Sequence, residues 1–264
     1  MANGSNWTRA KKNAYQKAWY KVNKGFISKT NVSNITAGSY KLVQGTPQNT
    51  QQTPTQNQQS TQPNNQNNTK QNMTGGRVFT SMSEAATYFG VGTHGAYDNW
   101  EASLTHGEKN GVYVYTGSGY IPMNAALRNG TTPTPQIAKA IKGAQAAIAK
   151  AELKDDIIVW RGSSSKIFGG GKLTVADFQN MAKNGIVIHD DGFTSAGITR
   201  DKAWGKAYVM KIKVPAGKGR GQYVAPMSQH KGEGEYLCHN NGDYAIKGAY
   251  QEGNKIIVEC ELVK

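Results

Sequence analysis

The stretch TPQIAKAIKGAQAAIAKAELKDDIIVWRG, residues 134–162, changes its hydrophobic period partway along. Up to Leu153, apolar residues recur at three- and four-residue steps behind a proline in the first turn, which predicts a helix. After Asp156 the run IIVWRG (157–162) is short, apolar and β-branched, which predicts a strand. The chain upstream resembles the first half: SMSEAATYF (81–89), AYDNWEASLTHGE (96–108) and GYIPMNAALR (119–128) carry helical signals. The chain downstream resembles the second: GFTSA (192–196), AYVMKIKV (207–214), GQYVA (221–225), EYLCH (235–239), DYAIKGAY (243–250) and KIIVECELV (255–263). One further helix is predicted in TVADFQNMAKNG (174–185), where Thr174 and Asp177 are spaced as a capping box. Helices first and antiparallel-looking strands afterwards predict an α+β domain, not a doubly wound sheet.

That domain does not fill the chain. Of the formal net charge of +14 over 264 residues, +10 lies in residues 1–80, which hold no Asp or Glu at all. The rest is close to balanced, so a basic tail is indicated and a basic domain is not. Residues 1–43 form a basic N-terminal segment. Within it, RAKKNAYQKAWYKVNKGF (9–26) sets Ala10, Ala14, Ala18 and Val22 at helical steps among lysines, the pattern of a short amphipathic helix. It is a candidate for docking on a polyanion, a membrane surface or an acidic partner, and equally reads as a solvated leader. Residues 44–74 are a linker: 17 of the 29 residues from Gln44 to Asn72 are Asn or Gln, with no aliphatic or aromatic side chain. Such a composition cannot bury enough apolar surface to offset chain entropy, so the linker is expected to be disordered. The compact domain is expected over 75–264. No run reaches 18 apolar residues, so no membrane span is expected. The N-terminus lacks the apolar core of a secretory signal. Cys238 and Cys260 sit in apolar strand-like runs and read as buried thiols, with a disulfide between neighbouring strands as the alternative, and no metal-ligand spacing appears.

Three short motifs carry chemistry. Arg161 closes the strand VWRG, where a guanidinium fork pairs with phosphate and Gly162 lets a ligand approach the backbone. Ser195 lies in GFTSAG, without the surroundings of a hydrolase nucleophile. Glu233 and Glu235 are separated by one glycine in HKGEGEYLC (230–238). If a strand begins there, both carboxylates project to one face and repel unless a cation lies between them. Each motif alone is equally compatible with a solvated strand end or a turn.

Their order resembles that of the mono-ADP-ribosyltransferases of the arginine–serine–glutamate class, the clostridial-toxin-like and bacteriophage enzymes. The resemblance spans roughly residues 80–264. It includes LTHGEKNGVYVYTGSGYIPMNAALR (104–128), similar to the family's helical segment, and GQYVAPMS (221–228) ahead of the glutamates. It implies N-terminal helices packed on a two-sheet, mainly antiparallel β core, with NAD as substrate and no metal. Arg161 and Gly162 would hold the NAD phosphates. Asn124 and Arg128 would contact the cofactor from the helical side. Ser195 would orient Glu235, the family's invariant glutamate, and Glu233 occupies the place two before it. Ala196 and Gly197 depart from the family's Thr and second Ser, and Trp160 stands where Tyr is common. The loop from Pro226 to Gly232 lacks the aromatic that many relatives use against a protein substrate.

The chemistry of that family gives the paired glutamates a use. Cleaving the nicotinamide–ribose bond develops an oxocarbenium ion, which a nearby carboxylate, Glu235, would stabilise. An arginine acceptor stays protonated, with a pKa of about 12.5–13.8, until a second carboxylate holds it and takes a proton, the role expected of Glu233. In relatives with Gln there, arginine is not the usual acceptor. The resemblance therefore implies ADP-ribose transfer from NAD to arginines of a target protein. An NAD glycohydrolase of the same fold and a catalytically degenerate basic adaptor are the competing expectations. A monomer acting in the cytoplasm of a host or target cell is expected.

Overall fold

The computed structural model describes residues 41–44, 75–203 and 205–264. The helix expected within 9–26, and all of the linker except Gln44, lie outside the described residues. The helical half contains α1 (Met82–Phe89), α2 (Ala96–Ala102), α3 (His106–Val114), a π-turn (Tyr115–Gly119), α4 (Tyr120–Asn129) and α5 (Pro135–Lys150). Ser81 caps α1 and Thr134 caps α5 through their side-chain oxygens, each accepting a backbone N–H three residues on. The single helix expected over 96–108 is in fact two. Thr105 accepts from the Glu108 amide at 3.3 Å while Glu108 accepts from the Thr105 amide at 2.7 Å, a capping box that starts α3 afresh.

The strands are β1 (Lys41–Gln44), β2 (Glu152–Leu153), β3 (Ile157–Ser163), β4 (Ile186–Asp190), β5 (Thr194–Gly197), β6 (Tyr208–Val214), β7 (Gly217–Lys218), β8 (Gly221–Tyr223), β9 (Glu235–Cys238), β10 (Gly242–Glu252) and β11 (Lys255–Leu262). α6 (Val175–Lys183) precedes β4, and its capping box joins Thr174 and Asp177 as the spacing predicts. Nine strands follow the order β1-β4-β10-β11-β6-β3-β5-β9-β8, and β2 with β7 makes a separate ribbon. Neighbours are antiparallel except β11 with β6. Between β3 and β5 the only registered pair is Trp160 with Gly197. The mainly antiparallel core is thus one nine-stranded ladder whose two halves are joined there by a single registered pair. β4 and β1 extend one half although neither stood out in the sequence.

β3 is buried on both faces, which explains its unbroken apolar run. Ile157 and Val159 join the main core shared with the helices, whereas Ile158 and Trp160 pack with Ala203, Val209 and Ile257 in a second cluster. Burying one such side chain contributes roughly 1.5–3 kcal/mol. No helix among the described residues is long and apolar enough to cross a membrane.

His189 ties the sheet to the turn that leads into β5. Its Nδ1 lies 2.6 Å from Asp243 on β10 and its Nε2 lies 2.9 Å from Asp191. Two carboxylates at the two ring nitrogens call for an imidazolium that donates twice. Burial opposes that charge, but the bonds to Asp243 and Asp191 outweigh it and the pKa is raised above 6.5. A raised histidine contributes stability that is complete below its unfolded pKa and is lost as pH climbs through the folded value. The stability advantage of wild type over His189→Gln should therefore shrink in alkaline solution. Thermal unfolding of both across pH 5.5 to 9 measures this; an advantage independent of pH would contradict it.

Candidate active site

The site lies where the ladder divides. Past Trp160, β3 and β5 share no further registered pair. Arg161 spans the opening instead, its Nη1 donating to the Ser195 carbonyl at 2.6 Å. Gly162 remains paired with Val209 of β6, so its backbone stays in the ladder on that side.

Register sets the relation of Ser195 to Glu235. Gly197 is opposite Glu235, and Ser195 is opposite Leu237. Side chains two apart on a strand share a face, so Ser195 is the diagonal neighbour of Glu235 on that face. The position directly opposite has no side chain, and Lys202 packs where one would stand. The same close packing explains the departure at Gly197: a Cβ there would come within 2.5 Å of Lys202 Cβ and 2.9 Å of its carbonyl carbon. A serine does not fit. From this strand the Ser195 hydroxyl is the group that acts on the Glu235 carboxyl.

Glu235 is 4% exposed. Burial is the main cause that pushes its pKa up to about 7; the Ser195 hydroxyl, Arg161 and His230 act to lower it, and Glu233 raises it further. Glu233, half-buried, does not reach this neighbourhood by strand alternation. It ends a 3-10 turn (Lys231–Glu233), and Gly234 follows in the left-handed region at φ 56°. The shared-face expectation for the two glutamates is thus corrected: a turn brings Glu233 near Glu235, with the strand beginning only at Glu235. One carboxylate is consequently buried and its neighbour stands nearer to solvent.

Asn124 and Arg128 come to the same region on α4, where they clasp the turn before β5. Asn124 Oδ1 accepts from the Phe193 amide at 2.9 Å, and its Nδ2 donates to the Phe193 carbonyl at 3.3 Å. Arg128 donates from Nε and Nη2 to Asp190 at 2.7 and 2.9 Å and from Nη2 to the Phe193 carbonyl at 3.0 Å. Asp190, 1% exposed, also accepts from the Gly192 amide and the Thr194 hydroxyl, each at 2.9 Å. This clasp holds Gly192 and Phe193 in a turn, so β5 starts at Thr194 and not at Gly192 as expected.

Other neighbours had no assigned part in the sequence. Tyr115 donates to the Phe193 carbonyl at 3.2 Å. Burial raises its pKa, Glu235 adds to the rise, and Arg161 opposes it. The YTG segment pointed to this tyrosine without giving it a role, while Asp190 and His230 gave no signal. The assembly offers a fixed cation, an oriented carboxylate poised near neutrality, and a second carboxylate at its edge.

A family model for the ADP-ribosyltransferase exoenzyme matches residues 93–264. The chain is 31% identical over 158 residues to NAD(+)--arginine ADP-ribosyltransferase EFV of Enterococcus faecalis, a match covering 57% of this chain and 30% of that protein. The chain thus spans about a third of the length of this curated relative. Among solved structures, an ADP-ribosyltransferase from Clostridium botulinum is similar at a TM-score of 0.59 with 22% identity, over 72% of this chain and 99% of that one. An ADP-ribosyltransferase toxin from Paenibacillus larvae has a TM-score of 0.59 with 24% identity, over 69% of this chain and 96% of that one. Both share the fold described above. With the family model covering the helical segment from residue 93 and every strand of the cleft, the chain belongs to the ADP-ribosyltransferase exoenzyme family.

Proposed function

We propose that the chain transfers ADP-ribose from NAD to arginine side chains of a target protein and releases nicotinamide. The observation that carries this is Glu235, buried and held by Ser195 beside Arg161, with Glu233 next to it at the edge. The relationship to the arginine ADP-ribosyltransferase of Enterococcus faecalis supports it. Arg161 holds the NAD phosphates and Gly162 allows their close approach to the backbone. Asn124 and Arg128 meet the cofactor from the helical side while they brace Phe193.

The bond from ribose C1′ to the nicotinamide nitrogen breaks, and its electron pair leaves with nicotinamide, which becomes neutral. The oxocarbenium that develops at C1′ faces the Glu235 carboxylate. A guanidinium nitrogen then forms a new bond to C1′ and gives up a proton to Glu233. The partner is a protein with an accessible arginine, reached in the cytoplasm of a host or target cell, and the basic segment over 1–43 docks on an acidic surface. Incubation with NAD and agmatine, a free guanidinium acceptor, followed by mass spectrometry, tests the reaction; NAD turnover with no agmatine adduct would favour hydrolysis.

Glu235→Gln should lower nicotinamide release by roughly 10²–10³, by analogy with the loss of one oriented electrostatic group. Its stability should move the other way. The folded pKa of Glu235 is raised from 4.5 to about 7, so the charge weakens the fold as pH rises through that window. The Gln variant should melt several degrees higher than wild type at pH 8, given roughly 2–4 °C per kcal/mol in a chain of this size, with the gap closing below pH 4.5. Lower stability at pH 8 would contradict a buried, costly charge.

Arg161→Lys should weaken NAD binding at least tenfold, because a point charge cannot reproduce the planar fork. An unchanged dissociation constant by calorimetry would remove Arg161 from the phosphate site. Glu233→Gln should reduce agmatine modification far more than NAD cleavage, because it removes the proton acceptor and leaves Glu235 in place. Equal loss of both activities would move Glu233 to the cofactor side.

A further inference from the structure

We propose that Gln229 is a positioning residue for Glu233. It staples the loop over 225–234 to the π-turn that follows α3, and so fixes where the proton acceptor for arginine stands. The inference rests on the role given to Glu233 under the proposed function. Glu235 has strand β9 and the Ser195 hydroxyl to hold it. Glu233 has neither: it lies in the Lys231–Glu233 turn, and Gly234 separates it from the strand. Downstream it adjoins Gly234, whose carbonyl accepts from the Ile198 amide at 2.8 Å, so what remains to be fixed is the upstream side of the loop.

The upstream anchor is Gln229, four residues earlier. Its amide donates to the Thr116 hydroxyl at 3.1 Å, and its side-chain Nε2 donates to the Tyr113 carbonyl at 2.8 Å. The next residue is tied locally, the His230 amide donating to the Ser228 hydroxyl at 2.9 Å. The Glu233 amide in turn donates to the His230 carbonyl at 3.0 Å. An unbroken run of bonds thus leads from the π-turn to Glu233.

The π-turn is shaped to receive the staple. Gly117 departs from helical geometry at φ −102°, ψ −145°. A Cβ on it would lie 2.2 Å from Gln229 Nε2 and 2.5 Å from Cδ, inside the glutamine itself. Thr116, 5% exposed, presents its hydroxyl to the Gln229 amide from the residue before. The kink at Gly117 clears a notch for one side chain, and the Tyr113 carbonyl accepts both from Gln229 Nε2 and from the Thr116 hydroxyl. The sequence pair Gly117 and Gln229 is thereby read as one device.

The consequence is a division of effects. Loosening the staple lets Glu233 wander while Arg161, Ser195 and Glu235 stay in place. Gln229→Ala should therefore raise KM for agmatine and lower its kcat/KM about tenfold, the scale of one lost hydrogen bond, with KM for NAD and the rate of NAD hydrolysis unchanged. Gly117→Ala should act through the same contact, so the double variant should lose no more than the worse single variant. Hydrogen exchange on the full chain supplies a readout independent of activity: amides of residues 230–234 should exchange faster in Gln229→Ala, and those of β9 should not. Equal loss of hydrolysis and transfer would overturn the proposal, since that pattern means a general structural role. Unchanged agmatine kinetics, additive losses in the double variant, or unaltered exchange at 230–234 would each overturn it too. Wild-type protein that hydrolyses NAD and never modifies agmatine would defeat the arginine reading itself, leaving exchange to judge the staple.

Discussion

Everything in this cleft depends on keeping one carboxylate, that of Glu235, where water scarcely reaches it. An ionised carboxylate in such a place is costly unless it is paired and hydrogen-bonded. The chain offsets part of the cost with the Ser195 hydroxyl and the charges of Arg161 and His230, and Glu233 adds to the cost. The balance leaves the group near neutrality instead of in the ordinary carboxylate range. A fully satisfied carboxylate would be a poor partner for a developing cation, because its charge would already be spent. An unsupported one would stay protonated.

The sheet is arranged around that balance. Its ladder parts between β3 and β5, and Arg161 bridges the gap by donating to the Ser195 carbonyl. Gly197 opposite Glu235 admits the close packing of Lys202, and the diagonal serine supplies the hydroxyl. Behind them Asn124, Arg128 and Asp190 fix the turn at Phe193, which sets the depth at which β5 enters. The braces are buried or half-buried polar groups with several partners each, the condition under which such networks specify a single geometry. Loss of one brace would shift β5, and with it Ser195.

Much of this was legible in the chain. The change of period at residues 153–157 separated helices from strands, and the capping pair Thr174 and Asp177 marked α6. Arg161, Ser195 and Glu235 were placed by motif order, and they converge. What escaped were effects of tertiary register. The pair Thr105 and Glu108 broke a helix whose apolar pattern ran straight through it. β4 is a short apolar run that ends in His189 and Asp190, so its last residues looked like a loop although both are fastened inside the fold. Glu233 looked like a strand residue because period two places i and i+2 together, yet the left-handed Gly234 breaks the alternation. Asp190 carried no local signal, since its partners are on α4 and in its own turn. The pairing of Gly117 with Gln229 spans more than a hundred residues and is visible only once the elements are packed.

The central claim is that Glu235 is a buried carboxylate balanced close to neutrality by the groups around it. The most direct test is a titration of its carboxyl carbon by ¹³C NMR in the free protein, assigned by difference from Glu235→Gln. A transition near pH 7 is predicted, moving downward in Glu233→Gln as the neighbouring negative charge is removed. A carboxyl that titrates in the ordinary range near 4.5, unaffected by Glu233, would contradict it.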